Sequence, residues 1–150
     1  MTEIRFYHLQ DQRLERVLPQ LLEISLQRGW RVVVQTGSDE RVDALDAHLW
    51  TYRDDSFLPH GVARNADAAD QPIALTADDC NPNNATVRFL IDGAPIPPDA
   101  ARYERLVLIF DGNDEDALAL ARKRWAQTKA HEFDASYWQP DDQGRWVQKA

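Results

Sequence analysis

Cysteine, methionine and long apolar runs are scarce in this sequence. Cys80 is the only cysteine among 150 residues, so a disulfide within the chain and a metal site built from several thiolates are both excluded. No apolar stretch approaches the roughly 20 residues that cross a bilayer. The start, Met1-Thr2-Glu3-Ile4-Arg5, lacks the features of a secretory signal. We therefore expect a cytoplasmic protein with no membrane partner.

Positive charge is also in short supply. Seventeen Lys and Arg residues stand against twenty-five Asp and Glu, which gives a formal net charge of -8. Such a chain repels a phosphate backbone, and direct nucleic-acid binding is disfavoured as its main activity. A local cluster of basic residues on this acidic protein would instead indicate a specific acidic partner.

Glycine-rich phosphate loops are missing. The sequence has neither Gly-x-Gly-x-x-Gly after its first predicted strand nor a Gly-Lys-Ser or Gly-Lys-Thr, so the usual backbone cradle for a nucleotide phosphate is absent. The run from 111 to 115 imitates a calcium loop, but Asp116 and Arg122 stand where that loop needs glycine and glutamate. Helix capping by Asn113 or Asp114 explains the run better. We expect no cofactor and no metal.

Three residues that often serve in catalysis, His60, His131 and Cys80, show no spacing that ties them together. Asp78 and Asp79 should raise the pKa of the Cys80 thiol, because negative charge nearby disfavours the thiolate. The sequence therefore favours a binding module over an enzyme.

Strand and helix patterns alternate along the chain. Strands are predicted near 4–9, 31–36, 73–76, 86–91 and 106–110, helices near 17–29, 39–50 and 114–129, and a hairpin in the tail 137–146. Pro19 argues that the first regular helix begins only near Val17. We predict one domain over residues 1–150, a three-layer α/β fold with a mostly parallel or mixed sheet of at least five strands. It is Rossmann-like without a nucleotide-binding loop.

The last predicted helix carries a basic and aromatic stripe. Leu118, Arg122, Trp125 and Lys129 follow the spacing of one helical face. One interpretation is a pocket for a carboxylate and an apolar side chain, because arginine binds carboxylates in a bidentate manner. The other is that Trp125 belongs to the core while the cations only solvate and cap the helix end.

Several short motifs occur together and in a specific order. They are Phe6-Tyr7-His8-Leu9, Arg28-Gly29-Trp30-Arg31-Val32, Leu45-Asp46-Ala47-His48-Leu49-Trp50, Ser56-Phe57-Leu58-Pro59-His60, the helix Leu120-Ala121-Arg122-Lys123-Arg124-Trp125 and the late Tyr137-Trp138-Gln139. On these motifs the chain resembles the chi subunit of bacterial DNA polymerase III from end to end.

The resemblance implies a non-catalytic accessory protein of the clamp-loader assembly, which links the replicase to single-stranded DNA-binding protein by holding its acidic C-terminal tail. Arg122 would take the carboxylates of the tail and Trp125 would wall the apolar pocket, while Arg124 and Lys129 would add positive field. Leu118 stands where some members are basic. DNA itself would be contacted only indirectly.

The resemblance also implies a second surface, for the psi subunit of the clamp loader. It carries over to Trp50 and Phe57, with Leu58 beside them in a loop that would expose large apolar residues. Another clamp-loader subunit or a helicase are alternative partners for this surface.

Two other functions stay open from the residues alone. One is an enzymatic or nucleotide-binding domain of the same sheet class. The other is direct binding of single-stranded DNA through Arg122, Lys123 and Arg124, with Trp125 or Trp138 as stacking platforms.

Overall fold

The computed structural model describes residues 2–52, 58–131 and 133–150. Within these ranges the strands are β1 (Glu3–Leu9), β2 (Val32–Gln35), β3 (His60–Val62), β4 (Ile73–Thr76), β5 (Val87–Leu90), β6 (Arg105–Asp111), β7 (Asp134–Pro140) and β8 (Trp146–Gln148). The α-helices are α1 (Leu14–Gln27), α2 (Asp39–Thr51) and α3 (Glu115–Ala130), and 3-10 turns span Ala66–Asp70 and Ala100–Arg102.

The described strands form one sheet in the order β3-β4-β2-β5-β6-β1-β7-β8. Neighbouring strands from β3 to β7 run parallel, and β8 pairs with β7 in the antiparallel direction. The last part of the chain therefore forms a hairpin of β7 and β8, as predicted for residues 137–146.

Helices cover both faces of this sheet. α1 and α2 pack on one face, in a core that contains Tyr7 and Leu18, and α3 packs on the other, in a core that contains Phe6 and Ala121. Phe6 and Tyr7 fall in different layers because successive side chains of a strand point to opposite faces. The three-layer α/β prediction is confirmed.

The start of α1 differs from the prediction. The helix begins at Leu14 and includes Pro19, although a proline inside a helix leaves the carbonyl four residues earlier without its amide donor. That carbonyl belongs to Glu15, and the His48 Nε2 of α2 lies 2.5 Å from it. A tertiary hydrogen bond thus replaces the lost helical one, which explains why Pro19 does not delay the helix start.

The ends of the helices follow local chemistry. α1 ends at Gln27. Gly29, two residues later, adopts the left-handed conformation with φ of 77°, and the Trp30 N–H bonds back to the Ser25 carbonyl at 3.0 Å. The Ser38 hydroxyl caps α2 by accepting from the Arg41 N–H. These stop and start signals were readable from the sequence.

Strand β3 was not predicted. Its three residues come from a segment whose turn-forming residues suggested a loop, and all three are buried. Gly61 lets the strand lie close to a neighbouring turn, because a Cβ there would stand 3.1 Å from the Ala68 Cα. Such a short strand forms only because β4 offers it a partner.

A fully buried arginine joins β5 to the segments around it. Arg88 donates to Gln35 Oε1 at 2.7 Å, to the carbonyls of Asp78 at 2.7 Å and Cys80 at 2.8 Å, and to the Tyr103 hydroxyl at 3.0 Å. Its relative exposure is 0%. Four oxygen acceptors therefore take the place of the water molecules that would otherwise solvate this buried charge.

Candidate protein-binding surfaces

The basic and aromatic stripe lies on α3, whose start is fixed by a capping carboxylate. The Asp114 side chain accepts from the N–H groups of Asp116 and Ala117, so the acidic run that imitates a calcium loop is a helix cap, as predicted. Further along the helix, Arg122 and Lys129 are exposed. The stripe is therefore available on the surface.

Trp125 belongs to the core and to this stripe at once. Its ring meets Phe6 edge-on at 5.3 Å between centroids and meets Tyr137 edge-on at 5.8 Å. The Lys129 Nζ lies 4.9 Å from the ring centroid on the outer side. Leu118, about two helical turns before Trp125, is partly buried against the same core. Core packing thus holds the indole rigid while part of it faces solvent, and the two interpretations of Trp125 are compatible.

Three polar side chains of the sheet lie close to Arg122, and sequence reasoning missed them. The His8 Nδ1 is 2.6 Å from the Tyr137 hydroxyl and 3.3 Å from the Gln139 amide nitrogen. We call His8, Tyr137 and Gln139 the polar cradle. Strand alternation places His8 on the same face as Phe6, but its neighbours come from β7, and no local pattern gives the pairing of the first and the late strand.

The charges around the polar cradle act on both of its titratable groups. Burial is the largest cause that lowers the pKa of His8, Asp111 acts against it, and Arg122 lowers it further. Burial raises the pKa of Tyr137, while Arg122 opposes that shift. The guanidinium of Arg122 is therefore close enough to act electrostatically on the cradle.

Arg124 does not join this stripe. Residues two positions apart in an α-helix, such as Arg122 and Arg124, are separated by about 200° around its axis. Arg124 accordingly lines a crevice with Ala117 and Ala121 on the other side of α3. Its Nε is buried without a hydrogen-bond partner among the described residues. The Arg124 side chain thus faces the crevice, on a different side of α3 from Arg122.

The crevice is at the carboxyl end of the sheet, between β1 and β6, and its volume is about 680 Å³. α1 leaves β1 across one face of the sheet, whereas α3 leaves β6 across the other, so this is the switch point where ligands of such sheets usually bind. Its ionisable rim consists of Asp11, Arg13, Glu15, Arg41, Asp92, Asp111, Asp114, Asp116 and Arg124. With six carboxylates against three arginines, the rim is a poor setting for a nucleotide phosphate.

The candidate catalytic residues are not brought together. Cys80 lies 3.3 Å from the Thr76 hydroxyl, and burial first and Asp78 second raise the pKa of its thiol. The direction follows the prediction, although burial is the larger cause. His60 contacts Asp46 and the Leu58 carbonyl, and His131 is the C-cap of α3. In the described ranges, no group of three or more His, Cys, Asp or Glu residues is placed to hold a metal ion.

The predicted second surface is reduced to Trp50 among the described residues. Trp50 is 52% exposed at the end of α2, and its ring lies 4.3 Å from the His60 ring. The Asp46 carboxylate lies 3.0 Å from the His60 Nε2 and so holds in place the imidazole ring on which Trp50 packs. Leu58 is 1% exposed and belongs to the core between the sheet and the helices α1 and α2, so its expected place on a partner surface is wrong. Phe57 lies outside the described residues.

Trp138 is separated from the stripe by the sheet. It packs against the α1 and α2 side, where the Arg5 Cζ lies 4.8 Å from its ring centroid. Arg122 and Trp125 lie on the α3 side. A nucleic-acid track that combines Trp138 with the cations of α3 would have to cross the sheet, which argues against that combination.

Comparison with known proteins gives a consistent result. A family described as "DNA polymerase III chi subunit, HolC" matches residues 1–136. The chain is 28% identical over 121 residues to a probable DNA polymerase III subunit chi of Rickettsia prowazekii, which covers 74% of this chain and 71% of the relative. It is 24% identical over 112 residues to the DNA polymerase III subunit chi of Pseudomonas aeruginosa, and this aligned region covers 72% of this chain and 78% of that relative.

Among the described helices, none combines the length and apolar content needed to span a bilayer. The relatives are both named as subunits of DNA polymerase III, and the family match covers β1 to β6, the three α-helices and the stripe on α3. The chain therefore belongs to the DNA polymerase III chi subunit family, and is a replication accessory subunit.

Proposed function

We propose that this chain is a non-catalytic subunit that links the polymerase III holoenzyme to single-stranded DNA-binding protein by holding the acidic C-terminal tail of that protein. The observation that carries the proposal is the stripe on α3, where exposed Arg122 and Lys129 flank a half-buried indole. A shielded charge-assisted hydrogen bond to a carboxylate contributes roughly 1.5 to 3 kcal/mol. The partly exposed Trp125 supplies an apolar wall for an aromatic residue at the tail end.

A cationic site on an otherwise acidic protein favours a specific ligand. The net charge of -8 repels a long polyanion, but the field falls off within a Debye length of about 8 Å at physiological salt. A short acidic peptide seated on Arg122 is therefore attracted locally. The same acidic body opposes a DNA strand that would extend beyond the stripe.

Binding of a short acidic peptide that ends in a free phenylalanine, measured by calorimetry, tests the tail site. We expect Arg122→Ala to weaken binding about 10-fold or more, which corresponds to about 1.4 kcal/mol. Lys123→Ala is the matched control, because it removes the same charge from an exposed neighbour that lies about 100° away around the helix. Equal affinity of both variants and the unaltered protein, with the fold intact, would reject the site.

A second surface is proposed around Trp50, for the psi subunit, another clamp-loader subunit or a helicase. Its support is the half-exposed indole of Trp50, which packs against the His60 ring. We expect Trp50→Ala to abolish capture of a clamp-loader partner and to leave binding of the acidic peptide unchanged. Ile24→Ala is a suitable control, because Ile24 is a large apolar residue of 44% exposure on a different helix. We also expect Phe57→Ala to behave like Trp50→Ala.

The separation of the two surfaces supports a linking role. α2 packs on β3 and β4 at one end of the sheet, whereas α3 covers β6, β1 and β7 on the opposite face. Adjacent strands lie about 4.8 Å apart, so the four steps from β4 to β1 span about 19 Å, and the helix layers add about 10 Å on each side. The two surfaces therefore lie on opposite faces of the sheet and share no residues.

The nucleotide-binding alternative is tested at the crevice. Thermal unfolding is compared with and without ATP and magnesium, because a ligand at about a hundred times its dissociation constant adds roughly 2.7 kcal/mol of stability. We expect no shift. A clear rise in the unfolding temperature would favour a ligand-binding function.

A further inference from the structure

The polar cradle lies at one end of β1 and β7, where Arg122 of α3 acts electrostatically on His8 and Tyr137. His8 lies at the carboxyl end of β1, and Tyr137 and Gln139 follow on the adjacent strand β7. The His8 ring also meets Phe110 at 5.1 Å between centroids. Its other edge rests on Gly112, where any Cβ would overlap the imidazole. The ring is therefore fixed in place, with one nitrogen directed at Tyr137.

The hydrogen bonds indicate which nitrogen carries the proton when His8 is neutral. The Tyr137 hydroxyl lies 2.6 Å and the Gln139 amide nitrogen 3.3 Å from the His8 Nδ1. The amide nitrogen is only a donor, and the hydroxyl can donate as well. Nδ1 is thus the acceptor, and the proton of neutral His8 is on Nε2.

Protonation of His8 would reverse one of these bonds. Nδ1 would then carry a hydrogen and donate to the Tyr137 oxygen, so the hydroxyl hydrogen of Tyr137 would be released to point elsewhere. The Gln139 amide would also lose its acceptor on the ring. A protonated cradle therefore offers two freed donors and one positive charge beside the Arg122 guanidinium.

Without a ligand this protonated form is disfavoured. Burial lowers the pKa of His8, Asp111 on β6 acts in the opposite direction, and Arg122 on α3 lowers it further. The β7 neighbours, Tyr137 and Gln139, are uncharged at neutral pH. An anion placed between Arg122 and His8 would cancel the repulsion between the two cations and would accept the freed hydrogen bonds.

We propose that His8, Tyr137 and Gln139 seat a carboxylate of the acidic tail together with Arg122, and that His8 takes up a proton when this carboxylate binds. This inference rests on the proposed tail-binding function and adds the groups that complete the anion site. The ligand is a peptide carboxylate. It is held between Arg122, which is always charged, and His8, which is charged when the carboxylate is bound.

The inference requires binding to depend on pH in one direction. A bound carboxylate raises the pKa of His8. The affinity for the peptide is therefore constant at pH values above the His8 pKa of the complex and increases as the pH falls through it. The affinity levels off below the His8 pKa of the free protein. Aspartate and C-terminal carboxyl groups have ordinary pKa values of about 3.5 to 3.9, so the peptide stays ionised above about pH 5. A rise of one pKa unit corresponds to about a 10-fold gain in affinity.

The test measures fluorescence anisotropy of a labelled acidic peptide ending in a free phenylalanine, between pH 5.5 and 8.0 at constant ionic strength. We expect binding by the unaltered protein to be about 3- to 10-fold tighter at pH 5.5 than at pH 8.0. His8→Gln should abolish this ratio. His131→Gln, at the exposed far end of α3, controls for the general gain of positive charge at low pH and should keep the ratio.

Two further measurements separate a binding role of His8 from a structural one. Tyr137→Phe removes the hydroxyl that the reversal needs and should reduce the ratio while His8 is still present. Titration of the His8 ring by NMR should give a higher pKa with the peptide than without it, a difference that a purely structural ring would not produce.

The outcomes distinguish this inference from the function on which it rests. Absence of peptide binding at every pH would overturn both. Peptide binding that depends on Arg122 but has the same affinity at pH 5.5 and 8.0 would overturn the role of His8 alone. A full pH ratio in His8→Gln, or an NMR pKa that the peptide does not change, would do the same.

Discussion

Replacing Arg88 by methionine would remove the buried charge that joins β5 to its surroundings. The side chain donates to two backbone carbonyls, those of Asp78 and Cys80, and to the side chains of Gln35 and Tyr103. Methionine has a similar reach and no donor. The substitution therefore tests the hydrogen bonds while it leaves most of the volume filled.

The expected loss follows from the acceptors that stay behind. The two carbonyls are fixed by the chain and face a fully buried arginine side chain, and an acceptor that loses its partner in such a place costs about 1 to 3 kcal/mol. Side chains such as Gln35 can turn to other partners and are not counted. Removing the desolvation cost of Arg88 offsets part of the loss. We expect Arg88→Met to lower the free energy of unfolding by about 3 kcal/mol, within the range of about 3 to 5 kcal/mol for broken buried ionic networks.

Urea unfolding followed by tryptophan fluorescence measures this loss, and Arg31→Met is the matched control. Arg31 also donates to backbone carbonyls, those of Asn83 and Ala69 at 2.8 Å and of Gln71 at 3.2 Å, but it is partly exposed. Water can replace its bonds, so we expect a loss of about 1 kcal/mol or less. If Arg88→Met costs no more than Arg31→Met, burial of the arginine side chain does not decide the stability of this network.

Three further predictions concern the chemistry and the core of the chain. Asp78→Asn should accelerate alkylation of Cys80 at pH 8.5 several-fold, measured by mass spectrometry, because the carboxylate raises the pKa of the thiol and its removal increases the thiolate fraction. Trp125→Ala should lower the free energy of unfolding by about 2 to 3 kcal/mol and weaken peptide binding. Trp125→Phe should lose about 1 kcal/mol and retain most of the binding, and equal losses in urea would contradict this. His48→Ala should cost about 0.5 to 1 kcal/mol, since the Glu15 carbonyl loses its donor, and an unchanged urea midpoint would argue against that bond.

The sequence determined those features that depend on residues close together in the chain. The spacing of Leu118, Arg122, Trp125 and Lys129 placed a stripe on one helix face, and Asp114 marked the start of that helix, because side-chain direction and capping follow from the helical repeat itself. Alternating strand and helix patterns likewise predicted a layered α/β domain.

Only the tertiary structure decided which distant groups meet at the stripe. His8 and Tyr137 are 129 residues apart and become neighbours because β1 pairs with β7, a strand order that no local pattern encodes. The burial of Leu58 has the same origin, since a loop residue becomes a core residue only where the sheet and its helices leave room for it. The sequence thus carried the cation and the indole of the candidate site, and the packing of the sheet added the histidine, tyrosine and amide beside them.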